Sequence, residues 1–400
     1  MRKNKFVVTM LLLNIFIVFV GIGLIIPIMP TFINEMHLTG SIMGYMMAAF
    51  SLTQFIMSPF AGKWIDRFGR KIMIVIGLFI FSLSELIFGM GKSVEVLFLS
   101  RILGGVSAAF IMPGVMAFMA DITTVEERPK SMGYISAAIS LGFIIGPGIG
   151  GLIAEFGVRA PFYFAAVISF IVAIISLIVL KEPLTKEQLS ERAAVSAKSN
   201  FFKEIMKSFK PMYLIAFVIV FILAFGLSAY ETVFSLFSDH KFGFNPRDLA
   251  VILTVSSLIA VIAQVFLFDR MVNVMGEKRL IQLCLVVGAS CAVISTVIGH
   301  FWIILLNTCL IFLAFDLLRP ALTTFLSRMA GSEQGFVAGM NSAYTSLGNI
   351  IGPTTAGILF DININFPYLF SGLILVIGLV ITVFWREKQF VKTANPPLDF

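Results

Sequence analysis

The chain has 400 residues, of which 58% are hydrophobic and 13% are charged, and its formal net charge is +7. This apolar share is higher than a water-soluble globular domain carries, which excludes water as the main solvent of the protein. The positive charge does not indicate nucleic-acid binding, because the sequence contains no soluble basic segment with interleaved aromatic residues. Composition therefore predicts an integral membrane protein.

Apolar stretches long enough to cross a hydrocarbon layer of about 30 Å recur along the whole chain. Short polar connections, most of which contain Lys or Arg, separate these stretches. The pattern predicts an all-α membrane protein with twelve transmembrane helices, near residues 6–30, 39–62, 72–91, 95–121, 130–154, 160–180, 211–237, 247–268, 280–299, 301–327, 335–359 and 365–385.

Basic residues are distributed unequally between the two sides of the predicted membrane. If both termini are cytoplasmic, 23 of the 29 Lys and Arg residues lie inside, and only Lys92, Arg159, Lys241 and Arg247 lie outside. Cytoplasmic loops of membrane proteins carry an excess of Lys and Arg. We therefore expect a multi-pass protein of the cell membrane with both termini in the cytoplasm.

The predicted spans form two related halves. The only long charged stretch, 181–210, separates an amino-terminal half (1–180) from a carboxy-terminal half (211–386) that is followed by a cytoplasmic tail (387–400). Ser140-Leu-Gly-Phe-Ile-Ile-Gly-Pro147 is repeated as Ser346-Leu-Gly-Asn-Ile-Ile-Gly-Pro353, and Pro113 is repeated as Pro320, 207 positions later. Duplicated halves of this kind place a substrate path between them near the middle of the bilayer.

The connection between the second and third spans is short and highly charged. It reads Gly62-Lys-Trp-Ile-Asp66-Arg67-Phe-Gly69-Arg70-Lys71, and its two glycines are expected to let the helices turn back closely. The usual excess of Lys and Arg in cytoplasmic loops would explain the basic residues, but it would not explain an acid between the glycines. The segment resembles the motif G-x-x-x-D-R-x-G-R-K of the major facilitator superfamily. The resemblance implies a conformational latch made by Gly62, Asp66, Arg67, Gly69, Arg70 and Asp121, in which both acids pair with Arg70.

Two further motifs resemble those of the same superfamily. Leu99-Ser-Arg101-Ile-Leu-Gly-Gly105 resembles its fourth-helix motif, which contains an intramembrane Arg. The fifth span resembles the motif of its antiporter branch at Gly142, Gly146, Pro147, Gly150 and Gly151. Physically, the glycines permit close helix packing and the proline permits a kink, so ordinary packing is the alternative explanation. The second copy of the motif differs at Thr354, Thr355 and Ala356, which favours helix packing over antiport as the role of that copy.

Charged residues inside spans are informative because each costs about 2.5–3.5 kcal/mol at the bilayer centre on insertion scales. Asp316 and Arg319 are three residues apart on one helical face, so they either pair structurally or share a partner. Glu231 has no basic residue within a helical turn, which suits it to binding and releasing protons. Glu85 lies near Lys92 and the outer surface, where a snorkelling structural acid is expected.

Nearly the whole chain resembles the drug:proton antiporter family of NorA-type multidrug exporters. The segments that carry the resemblance are Gly21–Pro30, Gly226–Thr232, Phe315–Ala321 and Asn341–Asn349. It implies proton coupling at Glu231, Asp316 and Arg319, and a drug cavity lined by Phe19, Gln54, Arg101, Met112, Ile139, Phe143, Gln264, Phe312 and Asn349. Apolar, aromatic and Met side chains suit lipophilic cations of varied shape.

These observations predict a proton-driven exporter of lipophilic cationic or zwitterionic drugs, such as fluoroquinolones and dyes, that works by alternating access. Its partners would be hydrophobic drugs, protons and the lipid bilayer, with no nucleic acid. The family resemblance implies a monomer, with no cofactor, no metal and H⁺ as the coupling ion. We find no phosphate-binding Gly-rich loop and assign the three Cys neither a disulfide nor a metal.

Two alternatives remain at this point. A transporter for one metabolite such as a sugar would need more polar groups in mid-span than Gln54, Gln264 and Asn349. An intramembrane enzyme would need a catalytic arrangement, yet the three His lie in predicted outer loops or at a span edge, and no H-E-x-x-H motif or Ser/His arrangement occurs within a span. We therefore expect no catalytic residues.

Overall fold

The computed structural model describes residues 5–124, 127–185, 187–191, 211–330 and 334–384. The charged linker and the tail predicted from the sequence lie largely outside these residues. The helices are α1 (Lys5–Ile25), α2 (Met29–Glu35), α3 (Gly40–Phe68), α4 (Arg70–Met90), α5 (Val94–Ile122), α6 (Arg128–Ile153), α7 (Ala160–Val179), α8 (Pro211–Phe242), α9 (Pro246–Ser295), α10 (Phe301–Ala330), α11 (Gln334–Ile362) and α12 (Phe366–Phe384).

At two places the bounds of the helices differ from the bounds of the membrane spans. Helices α1 and α2 form one span, Lys5–Glu35, because only a short 3₁₀ turn at Ile26–Ile28, which contains Pro27, interrupts them. Helix α9 is two spans in sequence, Pro246–Phe268 and Arg270–Ser295, and Gly276 breaks its helical backbone at φ 78°. The described residues therefore contain twelve spans, which confirms the predicted twelve-helix fold.

Eleven of the spans are long and apolar enough to be recognised by hydropathy alone. The twelfth, α11, corresponds to the predicted span 335–359. The observed ends differ from the predicted ones mainly where helices extend past the apolar stretch, as α8 does to Phe242. Large apolar side chains on many helices, including Ile178, Leu306 and Phe384, are exposed. Such a surface is suited to lipid and not to water.

The connection between the second and third spans is not the loop predicted from the sequence. Helix α3 continues through Gly62 to Phe68, and α4 begins at Arg70, so Gly69 alone makes the turn, at φ +99°. Gly62 lies inside α3, and a Cβ there would meet no atom within 4 Å. The prediction that both glycines serve the turn was therefore wrong for Gly62.

The chain divides into two compact units. Unit 1 comprises residues 1–39, 46–199 and 238–254. Within it, α4 packs against α5 and α7, and α1 packs against α6 and α7. Its main core is built from large apolar side chains of these helices, including Leu11, Ile15, Leu78, Phe81, Ile111 and Phe118.

Unit 2 comprises residues 40–45, 200–237 and 255–400. Within it, α11 packs against α10 and α12. The first six residues of α3 belong here because they lie against α11: the backbone N–H groups of Gly40 and Ser41 donate to the Asp361 carboxylate at 2.7 and 2.9 Å. An acid at a helix N-terminus satisfies free N–H groups and the positive end of the helix dipole.

Candidate functional site

Arg70 is the centre of a charged network in unit 1. Its guanidinium is 1% exposed, and it donates to Asp121 at 2.9 Å, to Asp66 at 3.0 Å and to the backbone carbonyl of Ile65 at 2.9 Å. Two carboxylates and one carbonyl thus satisfy its three nitrogens. The structure therefore brings together the three charged residues at the centre of the predicted latch, and it joins the ends of α3, α4 and α5.

Glu182 extends this network in a way that the sequence analysis missed. Its carboxylate accepts the backbone N–H groups of Arg70 at 3.1 Å and Lys71 at 2.9 Å, at the first turn of α4. A Cβ on Gly69 would lie 2.5 Å from the same carboxylate. The position therefore requires glycine both for its positive φ and for the close approach of Glu182. The sequence feature that could have indicated this role is the position of Glu182, an acid just past the end of an apolar span.

Arg67 does not join the network in this structure. Its side chain is exposed, and its guanidinium lies 5.3 Å from the ring of Phe68. Arg67 and Gly62 thus fall outside the contacts that hold Arg70. The network as observed consists of Asp66, Gly69, Arg70, Asp121 and Glu182.

The glycines of α6 pack closely against α1 in unit 1. A Cβ added at Gly142 would lie 2.6 Å from Phe19 Cβ, at Gly146 it would lie 2.8 Å from Gly23 Cα, and at Gly150 it would lie 2.2 Å from the Leu24 carbonyl oxygen. On another face, a Cβ at Gly151 would lie 2.6 Å from Ala250 at the start of α9. Pro147 lies within the same helix. These glycines allow two backbones to approach closely.

The second copy of the motif, in α11, uses the same arrangement in unit 2. A Cβ at Gly352 would lie 2.7 Å from the Phe225 carbonyl oxygen of α8, and one at Gly348 would lie 2.6 Å from Ala224 Cβ. Gly357 faces the start of α3, where a Cβ would lie 2.4 Å from the Gly40 carbonyl oxygen. The sequence differences at Thr354, Thr355 and Ala356 leave this packing in place.

Glu85 and Arg101 form a buried pair between α4 and α5. Glu85 is 2% exposed and Arg101 is 7% exposed. Their closest nitrogen and oxygen are 3.5 Å apart, and the guanidinium lies 4.2 Å from the Phe88 ring. The prediction of a snorkelling Glu85 was wrong, because the carboxylate turns inward to an arginine and not outward to water. The side chain of Arg101, which was predicted to line a drug cavity, is directed toward Glu85.

Glu231 lies in the middle of α8. Its side chain is accessible to solvent, although its neighbours Tyr230 and Thr232 are buried. Surrounding protein nevertheless desolvates the carboxyl group, and the charges of Arg319 and Asp316 act on it. Glu231 therefore has an accessible side chain on a spanning helix of unit 2, with its carboxyl group close to other protein atoms and to two charged residues.

Asp316 and Arg319 both lie on α10, near Pro320. Asp316 is partly buried and Arg319 is exposed, and their charges interact with one another. Within the described residues of unit 2, Arg319 makes no ion pair of 4.0 Å or less. Simple structural pairing therefore does not account for this group. Two carboxylates and one guanidinium share one region without neutralising each other through direct contact.

The remaining predicted cavity residues are divided between the two units. In unit 1, the rings of Phe19 and Phe143 meet edge to face at 5.0 Å, and Met112 and Ile139 border the same core as Phe19. In unit 2, Phe312 lies 6.4 Å from the Tyr230 ring. The other three residues, Gln54, Gln264 and Asn349, are partly buried.

The sequence profile described as "Major Facilitator Superfamily" matches residues 11–244 and 216–398. The chain belongs to the major facilitator superfamily. This assignment agrees with the twelve spans and with the Asp66–Arg70–Asp121 network, which the family resemblance implied.

Curated relatives cover almost the whole chain. Multidrug resistance protein 2 of Bacillus subtilis is 62% identical over 97% of this chain and 97% of its own length. Quinolone resistance protein NorA of Staphylococcus aureus is 37% identical, again over 97% of each chain.

Solved structures show the same fold. An inward-facing, occupied bacterial homologue of the human lysosomal transporter Spinster matches with a TM-score of 0.82 over 98% of this chain and 99% of that chain, at 15% identity. The nucleoside transporter NupG matches with a TM-score of 0.74 over 94% and 97%, at 14% identity. At these identities, the likeness concerns the fold alone.

Proposed function

We propose that this protein exports chemically diverse lipophilic cations and zwitterions, fluoroquinolones among them, in exchange for protons. Similarity over the whole chain to proteins named for multidrug and quinolone resistance supports the substrate class. The observation that carries the proposal is the Glu231, Asp316 and Arg319 group, which holds two carboxylates at membrane depth, with the side chain of Glu231 accessible.

Protons are the proposed coupling ion. Carboxylates inside a membrane mark ion or proton pathways, because burying them without such a role is costly. When Glu231 and Asp316 are ionised, they attract a cationic substrate, and protonation removes that attraction. Proton entry from outside would therefore favour outward release, and proton loss to the cytoplasm would restore the binding site.

Aromatic and apolar residues of each unit suit substrates of varied shape. Phe312 lies beside Tyr230 in unit 2, and Phe19 and Phe143 form an aromatic pair in unit 1. Aromatic faces attract cations, and few polar groups impose a fixed hydrogen-bond pattern. In this proposal the transporter works as a monomer with cytoplasmic termini and without a bound cofactor.

Accumulation of ethidium and norfloxacin in a host without its own exporters tests the proposal. Cells that contain the protein should accumulate less of both compounds, and a protonophore should abolish the difference while ATP is maintained. Glu231→Gln should accumulate ethidium as the empty host does. Glu155→Gln, at an exposed acid outside the group, should match the unmodified protein.

Two results would contradict the proposal. Efflux that continues under a collapsed proton gradient would show that protons are not the coupling ion. Equal accumulation with and without the protein, for both compounds, would remove the substrate class and favour a single-metabolite transporter.

A further inference from the structure

A polar cluster lies next to Glu231 inside unit 2, and we define it as Tyr230, Ser295, Asn307 and Thr308. All four side chains are buried, with exposed fractions of 1%, 5%, 6% and 0%. They come from α8, the end of α9 and the second turn of α10. The cluster therefore extends from the middle of α8 to the end of the unit at which α9 and α10 are joined.

Direct hydrogen bonds hold three members of the cluster in place. The Asn307 amide donates to the Ser295 hydroxyl at 2.8 Å and to the Cys291 carbonyl at 3.1 Å. The Ser295 hydroxyl donates to the same carbonyl at 2.9 Å, and the Thr308 hydroxyl donates to the Ile304 carbonyl at 2.8 Å. Both hydroxyl groups have thus used their protons and still present lone pairs.

Tyr230 does not complete this network directly. Its hydroxyl group is near the side chains of Thr308 and Ser295, but it forms no hydrogen bond of normal geometry. The hydroxyl group of Tyr368, whose ring meets the Tyr230 ring edge to face at 5.3 Å, is also buried and unpartnered. Buried hydroxyl groups without protein partners are the usual sites of ordered water.

Buried hydroxyl groups elsewhere in the described residues are of two kinds. In unit 1, Ser82, Ser100 and Ser107 donate directly to backbone carbonyls of neighbouring helices at 2.7, 2.8 and 2.9 Å, whereas Ser84 and Ser169 make no hydrogen bond. The Tyr230 region differs from both kinds because it combines two open hydroxyl groups, those of Tyr230 and Tyr368, with three polar side chains that are already held in place.

We propose that the polar cluster holds ordered water and forms a proton path between Glu231 and the α9–α10 end of unit 2. This inference rests on the proposed proton coupling and deepens it by naming the route. The charged groups that act on the Glu231 end of the path are Asp316 and Arg319, and Cys291 and Tyr368 lie beside Tyr230.

Proton transfer along this path leaves the cluster unchanged. A hydronium ion at the α9–α10 end gives a proton to a hydroxyl or water lone pair, and each hydroxyl group then turns from its backbone carbonyl to release its own proton to the next group. Ordered water carries the last proton from the Tyr230 hydroxyl group to the Glu231 carboxylate, which becomes a neutral carboxylic acid. No other bond is made or broken.

Tyr230→Phe tests the path because it removes only the hydroxyl group. In vesicles that contain the purified protein and a pH-sensitive dye, we expect proton flux driven by an ethidium gradient to fall about a hundredfold, the lower range for loss of a proton-transfer group. The ethidium dissociation constant should stay within about twofold, since the substrate does not need the hydroxyl group. Ser295→Ala should slow the same flux and increase its ratio in H₂O to D₂O.

Tyr163→Phe is the matched control, because Tyr163 donates to the Gly89 carbonyl at 3.0 Å in unit 1, away from the cluster. Unchanged proton flux in both Tyr230→Phe and Ser295→Ala would overturn the path. Ethidium binding that weakens in parallel with flux would also overturn it, by assigning Tyr230 to the substrate site. If the unmodified protein moves ethidium without protons, the proposed function itself fails, a result distinct from either of these.

Discussion

The α4–α5 contact of unit 1 and the α9–α10 contact of unit 2 occupy matching places in the sequence repeat, 207 positions apart. Each has the same supporting bond: Ser100 donates to the Ser84 carbonyl, and Asn307 donates to the Cys291 carbonyl. The residues that follow these two donors differ: Arg101 follows Ser100 in α5, whereas Thr308 follows Asn307 in α10. Glu85, the partner of Arg101, corresponds to Ala292.

This difference separates the two halves chemically while the scaffold stays constant. Unit 1 has a buried ion pair between Glu85 and Arg101, in which Glu85 Oε2 and Arg101 Nε make no hydrogen bond. Unit 2 has only neutral groups at the matching place, and its ionisable residues, Glu231, Asp316 and Arg319, remain outside direct ion pairs. A duplicated frame therefore holds a buried ion pair in one half and, in the other half, the carboxylates for which we propose proton exchange.

The largest expected effect comes from breaking the ion pair of unit 1. Arg101→Leu leaves the Glu85 carboxylate buried without its partner, which should lower the free energy of unfolding by about 3–5 kcal/mol. Glu85→Ala combined with Arg101→Thr installs the unit 2 residues and should recover most of the loss. Denaturation in detergent micelles measures both variants. A double variant as unstable as Arg101→Leu would show that the two contacts are not interchangeable.

A smaller effect should come from the glycines that the two halves share. Gly146→Ala and Gly352→Ala would each force a methyl group against backbone, at Gly23 and Phe225, and should each cost about 1–3 kcal/mol through overpacking. Gly133→Ala is the control, because a Cβ there meets nothing within 4 Å. Thermal unfolding of the purified variants measures the series. If only one of the two copies is sensitive, then the repeated packing is not equivalent.

The smallest effect should come from the matched supporting bonds. Ser100→Ala removes one hydrogen bond and should cost about 1 kcal/mol. Asn307→Ala removes two bonds and leaves Ser295 with one fewer partner, so we expect about twice that loss. Denaturation in detergent micelles measures the loss of stability in each variant and therefore the ratio between the two losses. Equal losses would show that the bond between Asn307 and Ser295 contributes little to stability.

Much of the molecule follows from local properties of the chain. Hydropathy predicts the spans because backbone groups in lipid must be satisfied within helices. The resemblance of the motif at 62–71 to that of the superfamily predicts that Asp66 and Arg70 act together. Sequence could not show that α3 runs on to Phe68, because charged residues after an apolar stretch are compatible with either helix or loop.

The sequence by itself determined the membrane location, the twelve helices, the internal repeat and the ionisable residues at membrane depth, since these depend on composition and spacing along the chain. Only the tertiary structure decided the partners: Glu182 at the start of α4, Glu85 against Arg101, and Tyr230 beside Ser295 and Thr308. Those contacts join residues that are distant in sequence. Packing decides which faces of the helices meet, and a side chain's burial and hydrogen bonds depend on that choice.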